Sequence, residues 1–202
     1  NWYKSLFPSV LKKNKILKKN GKFMTYDVTP FYIYNEKSPK RIQKLLPNSK
    51  LIVILRNPVD RSYSNYFLGN QDKTFEEVIE NEKIILNKIN KANPDEYYNF
   101  VHTSMLARGF YAEQLENWYK VFPKNQILII QSEEFIKNPN KVMNDIFDFL
   151  DLPHYEIPDT SKKNKIYYDP MKKETRSDLI KFFRPYNEKL YSLIGRNFNW
   201  DN

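Results

Sequence analysis

The 202-residue sequence contains no cysteine, two histidines and four glycines. The absence of cysteine excludes disulfides, thiolate catalysis and cysteine-based zinc sites, and two histidines are too few for a histidine-rich metal site. The glycines (Gly21, Gly69, Gly109 and Gly195) are isolated from one another, so none of them forms a glycine-rich loop that could cradle a phosphate. The chemistry of this chain is therefore expected to need no metal.

Long apolar runs are also missing, because the longest aliphatic run is Leu51–Leu55. No segment could span a bilayer, and no signal peptide is visible, which favours a cytoplasmic protein without an integral membrane segment. Hydrophobic residues nevertheless make up 41% of the chain, including 14 Phe and 15 Tyr. This composition predicts one folded domain over residues 1–202 with a substantial core.

The chain is basic, with 33 Lys and Arg against 24 Asp and Glu, and a formal net charge of +9. Positive charge favours anionic partners such as nucleotides or polyanionic sugars. The alternative is a lysine-rich surface that is merely solvated. The basic residues are scattered and no nucleic-acid-binding module is evident, so nucleic acid is not an expected partner.

Strand patterns alternate with helix patterns along the chain. The predicted strands are Lys22–Asp27, Lys50–Leu55 and Ile127–Ile130. Helices are predicted to start at Ser38, Pro58, Thr74, Met105, Asn138 and about Thr175, the last being interrupted or kinked at Pro185. This alternation predicts an α/β fold with a mostly parallel central sheet flanked by helices.

The most informative segment is Leu51–Arg61. A buried parallel strand is predicted to end at Arg56, and a helix follows at once, with Asn57 as its cap and Pro58 in its first turn. Arg56, the free amides of the helix start and a hydroxyl such as Ser64 could together hold a phosphate. The alternatives are that Arg56 pairs with a carboxylate such as Asp60 and that Ser64 is an ordinary hydroxyl on the helix face.

Four stretches in this order resemble the sulfotransferases, in particular the carbohydrate branch that includes the heparan sulfate enzymes and bacterial relatives. They are residues 26–32, 51–64, 108–152 and 171–200, and they cover nearly the whole chain. The resemblance implies a P-loop-NTPase-like three-layer α/β fold. It also implies transfer of a sulfuryl group from 3′-phosphoadenosine 5′-phosphosulfate (PAPS) to a hydroxyl or amine of a carbohydrate or small-molecule acceptor.

The same resemblance implies roles for individual residues. Arg56 and Ser64 match the family's ligands to the 3′-phosphate of the nucleotide. Lys163 and Lys165 are candidates in the basic loop that closes over the nucleotide, although solvated lysines are the alternative. Asp27 is the one candidate for a catalytic base, because a carboxylate beside the acceptor can take its proton.

The chain departs from the family pattern at several points. The loop that grips the 5′-phosphosulfate has no counterpart, so the domain is expected to be incomplete at its N-terminus. The lysine and glutamate of the heparan enzymes' Glu-Lys-Ser/Thr-Pro segment are replaced by Val28 and Asp27, and a histidine that some of them carry is Leu68. Two other functions stay open: a nucleotide or small-molecule kinase on the same fold, and a non-enzymatic polyanion-binding protein.

Overall fold

The computed structural model describes residues 2–69, 72–91, 93–158 and 168–201, and the chain forms two compact units, Asn1–Pro30 and Phe31–Asn202. The first unit contains helices α1 (Trp2–Ser5) and α2 (Val10–Asn20). The prediction of a strand over Lys22–Asp27 is wrong. These residues pair with no strand in the described structure, and all of their side chains except that of Phe23 are exposed, so neither backbone pairing nor burial supports a strand.

The second unit alternates strands and helices as predicted. In chain order its elements are α3 (Ser38–Leu45), β1 (Leu51–Leu55), α4 (Pro58–Tyr66), α5 (Phe75–Lys88), α6 (Pro94–Thr103), α7 (Tyr111–Tyr119), β2 (Ile127–Gln131), α8 (Ser132–Lys137), α9 (Pro139–Leu150) and α10 (Lys173–Ile194). Short 3₁₀ turns occupy Pro30–Tyr32, Ala107–Gly109 and Lys124–Gln126. Among the residues that the structure describes, no helix has both the length and the apolar character that a membrane crossing requires.

Strands β1 and β2 are parallel neighbours, in a register that pairs Leu51 with Ile127 and Leu55 with Gln131. Parallel pairing requires a long crossover, which is supplied by α4 to α7. The prediction that β1 is buried on both faces is wrong in part. Ile52 and Ile54 are 38% and 52% exposed, whereas Leu55 on the other face is only 1% exposed.

Helices pack against one face of both strands and against the opposite face of β2. On one face, Leu55 of β1 packs with Leu115 of α7 and Leu190 of α10 in one apolar cluster. On the other face, Ile130 of β2 packs with Val142 and Ile146 of α9. Helices on both faces are the usual cover of a parallel sheet, because its backbone must be shielded from water on each side.

Three helices differ from their predicted form. The predicted helix over Met105–Phe122 is wrong in its first third, which forms the 3₁₀ turn Ala107–Gly109 before α7 begins. Helix α6 was not predicted, although Asn93 caps it by accepting a hydrogen bond from the Glu96 amide. Helix α10 runs through Pro185 without interruption, and Gly195 ends it in the left-handed conformation at φ 69°.

Candidate functional site

The loop between β1 and α4 is built as its sequence predicts. The Asn57 side chain accepts a hydrogen bond from the Val59 amide at 2.9 Å, and Pro58 occupies the first turn of α4. The N-cap prediction is therefore confirmed. The Asn57 amide itself donates to the Glu133 carboxylate at 2.8 Å. Two of the amides at the helix start are thus already occupied, and Arg56 lies directly before them, after the last residue of β1.

Hydrogen bonds from residues that are distant in sequence fix the main chain at Arg56 and Asn57. The Tyr111 hydroxyl donates to the Arg56 carbonyl at 2.9 Å. Burial raises the pKa of Tyr111, and the nearby Arg61 guanidinium lowers it by a smaller amount, so this hydroxyl keeps its proton and acts as a donor. The Trp200 indole donates to the second oxygen of Glu133 at 3.2 Å, which orients that carboxylate toward Asn57.

The Arg56 side chain lines a cavity of about 270 Å³ together with Asp60, Tyr63, Tyr168 and Arg176. The Asp60 carboxylate accepts a hydrogen bond from the Arg176 guanidinium at 2.6 Å. Within the part of the chain that the structure describes, the Arg56 guanidinium has no hydrogen bond or ion pair. The alternative in which Arg56 pairs with Asp60 is therefore wrong, because Arg176 occupies that carboxylate.

Tyrosine 63 and the segment that begins at Tyr168 close one side of this cavity. The Tyr168 ring stacks on Phe67 at a centroid distance of 4.5 Å and meets the edge of Tyr63 at 5.4 Å. The Tyr63 hydroxyl donates to the Asp169 carbonyl at 2.9 Å. Burial raises the pKa of Tyr63, with smaller upward contributions from Glu76 and Asp169, so the hydroxyl remains a donor at neutral pH. These contacts fasten residues 168 and 169 to α4.

The other predicted site residues are not brought to this cavity by the described structure. Ser64 lies on α4 one turn after Asp60 and is half-buried, and its hydroxyl has no hydrogen-bonding partner among the described residues. Lys163 and Lys165 lie outside the described residues. Asp27 belongs to the first unit, where its two carboxylate oxygens accept hydrogen bonds from Tyr3 at 3.0 Å and Thr29 at 3.4 Å. The roles predicted for these four residues stay predictions.

A buried polar cluster supports the inner side of α4. The Ser62 hydroxyl donates to the Met105 carbonyl at 2.8 Å, and the Arg61 guanidinium donates to the same carbonyl. Glu82 accepts from the Ser104 hydroxyl and from the Met105 and Leu106 amides at 2.7–2.8 Å. Burial lowers the pKa of Arg61, whereas nearby Tyr111 and Glu82 act in the opposite direction. Arg61 is therefore held by buried contacts that link α4 to the chain at Met105.

Gly109 is needed where α4 meets α10. A Cβ atom at this position would lie 2.9 Å from the Pro58 Cβ and 2.8 Å from the Phe183 Cε1. Both distances are shorter than ordinary carbon contacts, so glycine allows the Ala107–Gly109 turn to approach the start of α4. This isolated glycine therefore helps to place the loop that carries Arg56.

Replacing the cap residue tests this description of the loop. Asn57→Ala is expected to lower the free energy of unfolding by about 1 kcal/mol, because the Val59 amide loses its acceptor. Urea unfolding followed by circular dichroism measures the loss. Asn57→Ser is the matched control, since serine keeps a cap oxygen and should cost less. Equal losses in the two variants would contradict the cap as the source of the effect.

Most of the chain matches one family of known proteins. The model of the sulfotransferase domain family matches residues 6–187. The chain belongs to the sulfotransferase family.

Curated relatives and a solved structure agree with this assignment. The chain is 29% identical over 249 residues to the membrane-associated sulfotransferase kil1 of Dictyostelium discoideum, covering 87% of this chain and 53% of that protein. It is 26% identical over 224 residues to heparan sulfate glucosamine 3-O-sulfotransferase 3B1 of Mus musculus, covering 99% of this chain and 53% of the relative. The chain thus spans about half the length of these two relatives.

The crystal structure of a sulfotransferase from Alicyclobacillus acidocaldarius superposes with a TM-score of 0.66 at 29% identity. The match covers 85% of this chain and 65% of the bacterial one. Together with the parallel strand pair and the helices packed against it, it confirms the P-loop-like three-layer α/β fold.

Proposed function

We propose that this protein is a sulfotransferase that moves a sulfuryl group from PAPS to a hydroxyl or amine of a carbohydrate or small-molecule acceptor. The observation that carries the proposal is the Arg56 guanidinium, which lines a cavity at the end of β1 and makes no ion pair with the described residues. A partly buried guanidinium that is not paired with a carboxylate is suited to binding an anionic ligand. The 3′-phosphate distinguishes this donor from ordinary adenine nucleotides, so a dedicated cation is useful there.

The hydrogen bonds that fix the main chain at Arg56 also support a role for its guanidinium in binding a phosphate. Tyr111 and Glu133 bond to the main chain at Arg56 and Asn57, and the Asn57 cap fixes the start of α4. A guanidinium on a rigid main chain loses less conformational entropy when it binds a phosphate than one on a mobile loop. In this proposal Ser64 adds a hydroxyl from α4, and Lys163 and Lys165 add charge from the loop before Met171.

Sulfuryl transfer requires of the protein much the same contributions as phosphoryl transfer. The acceptor oxygen or nitrogen attacks sulfur, the bond from sulfur to the 5′-phosphate oxygen breaks, and 3′-phosphoadenosine 5′-phosphate (PAP) leaves. The protein must align these atoms, accept the proton of the acceptor and balance charge on the leaving phosphate. Asp27 is proposed as the base, because its carboxylate is exposed and a carboxylate beside the acceptor can take its proton.

The names of the relatives support a carbohydrate as the acceptor in this proposal. Several of them are named as heparan sulfate glucosamine 3-O-sulfotransferases, whose acceptor is a carbohydrate. We propose a carbohydrate hydroxyl as the first acceptor to test, while Val28 and Leu68 depart from the heparan-type pattern. A cytoplasmic location stays a prediction from the sequence.

Calorimetric binding of PAP and of 5′-AMP tests the nucleotide site. The wild-type protein should bind PAP more tightly than 5′-AMP, and Arg56→Ala should weaken PAP binding roughly ten- to a hundredfold. This range corresponds to one charge-assisted hydrogen bond of about 1.5–3 kcal/mol. The 5′-AMP affinity should change little, because that nucleotide lacks the 3′-phosphate.

Arg41→Ala is the matched control, since it removes the same charge from an exposed position on α3. If Arg56→Ala and Arg41→Ala lowered the affinities for PAP and for 5′-AMP by equal factors, general electrostatic attraction would explain the binding, as the polyanion-binding alternative predicts. A preference for ATP over PAP would instead favour the kinase alternative. A wild-type protein that does not distinguish PAP from 5′-AMP would overturn the proposed site.

A further inference from the structure

The ion pair between Asp60 and Arg176 lies in the wall of the Arg56 cavity. Asp60 is in the first turn of α4, and Arg176 is in the first turn of α10, 116 residues later. Their 2.6 Å bond joins two of the three charged side chains that line the cavity among the described residues, and Arg56 is the third. These three side chains are two cations and one carboxylate, and the pairing decides which cation is left for a ligand.

Stability alone is a weak explanation for this pair. The side chains of Arg176 and Asp60 are 39% and 34% exposed. Ion pairs of such exposure contribute about 0–1 kcal/mol to folding, because water screens them. A cation in the first turn of a helix is also disfavoured by the helix dipole. The charge of Arg176 therefore does not stabilise α10 at this position.

Asp60 creates an electrostatic problem for a phosphate in this cavity. A carboxylate in the same wall repels an anionic ligand, and it also competes for the guanidinium of Arg56. Arg176 removes both effects by holding the carboxylate at 2.6 Å. With the pair formed, Arg56 carries the remaining positive charge of these three side chains.

We propose that Arg176 is a positioning residue that neutralises Asp60 and so keeps Arg56 available for a phosphate monoester. The inference rests on the proposed nucleotide site and adds a determinant of its affinity. Arg176 acts through Asp60 rather than by touching the ligand. The effect of removing Arg176 must therefore depend on whether Asp60 is charged.

A double-mutant cycle on PAP binding tests this dependence. Arg176→Gln should weaken PAP binding about tenfold, the order expected when one carboxylate is left unpaired beside a partly exposed anion site. Asp60→Asn should bind PAP at least as tightly as the wild-type protein. The double variant should return to within about threefold of wild type, because the unpaired carboxylate is gone.

Arg176→Lys provides a second variant that keeps the charge, and it should retain most of the PAP affinity. Thermal unfolding of every variant checks that the fold persists. If the pair had a purely structural role, the double variant would not recover the PAP affinity. Unchanged binding in Arg176→Gln would overturn the inference. A double variant as weak as Arg176→Gln would also overturn it, since Arg176 would then contact the ligand itself.

These failures can be told apart from a failure of the proposed function. If the wild-type protein shows no preference for PAP over 5′-AMP, the nucleotide site and this inference are both overturned. If the wild-type protein shows the preference and Arg56→Ala removes it, the site stands. The behaviour of the Arg176 and Asp60 variants then decides the role of the ion pair alone.

Discussion

Replacing Glu82 with alanine is expected to lower the free energy of unfolding by about 3–5 kcal/mol, the range seen when a buried charged partner is removed. Glu82 is 8% exposed and accepts hydrogen bonds from the Ser104 hydroxyl and from the Met105 and Leu106 amides. Alanine would leave these three donors without their acceptor. It would also remove a carboxylate whose charge favours the protonated form of the buried Arg61.

Urea unfolding followed by circular dichroism and tryptophan fluorescence measures this loss. Glu82→Gln is the matched control, because its amide oxygen keeps one acceptor of nearly the same shape, and it should cost less than Glu82→Ala. A loss below about 1 kcal/mol in Glu82→Ala would show that water replaces the carboxylate at little cost and would contradict the cluster as a support of α4.

The second large effect is expected for Phe183→Ala, which should lower the free energy of unfolding by about 3–5 kcal/mol. Phe183 is 0% exposed and packs with Phe110 and Leu179 in the cluster that also contains Val59 of α4. Its Cε1 atom also lies 2.8 Å from the place that a Cβ atom at Gly109 would occupy. Alanine would leave a cavity that well-packed neighbours can fill only in part.

Phe182→Ala is the control for this prediction, because it makes the same change at the neighbouring position of α10. Phe182 is only partly buried against the same cluster, so its loss should be clearly smaller. Denaturant unfolding of both variants gives the comparison, provided that the slope with denaturant is unchanged. Equal losses would indicate a general effect on the α10 helix instead of a loss of packing at Phe183.

Local signals in the sequence were sufficient for much of the fold. Asn57 and Pro58 predicted the start of α4, and Thr74 predicted the start of α5, where it forms a capping box with Glu77. Both motifs operate within one helical turn, where the side chain and the amide that it caps are close in sequence. The short β-branched runs predicted β1 and β2 for a similar local reason.

The predictions from the sequence were wrong where contacts between residues far apart in the chain outweigh the local sequence pattern. The apolar spacing over Met105–Phe122 favours one helix, but the Met105 and Leu106 amides bond to Glu82 and the chain turns at Ala107–Gly109. Lys22–Asp27 has a strand-like composition, yet no described strand pairs with it. Ile52 and Ile54 are apolar but exposed, because only one face of β1 is covered in the described structure.

The place of Arg56 follows from the sequence, because a strand that ends in arginine and continues directly into a capped helix puts that residue at the strand's carboxyl end. Which carboxylates and cations meet around it does not follow from the sequence. Asp60 is four residues from Arg56 and still pairs with Arg176, and the Asn57 amide bonds to Glu133. Arg176 is 116 residues from Asp60 and Glu133 is 76 residues from Asn57, so only the tertiary structure brings these partners together in place of the nearer alternatives.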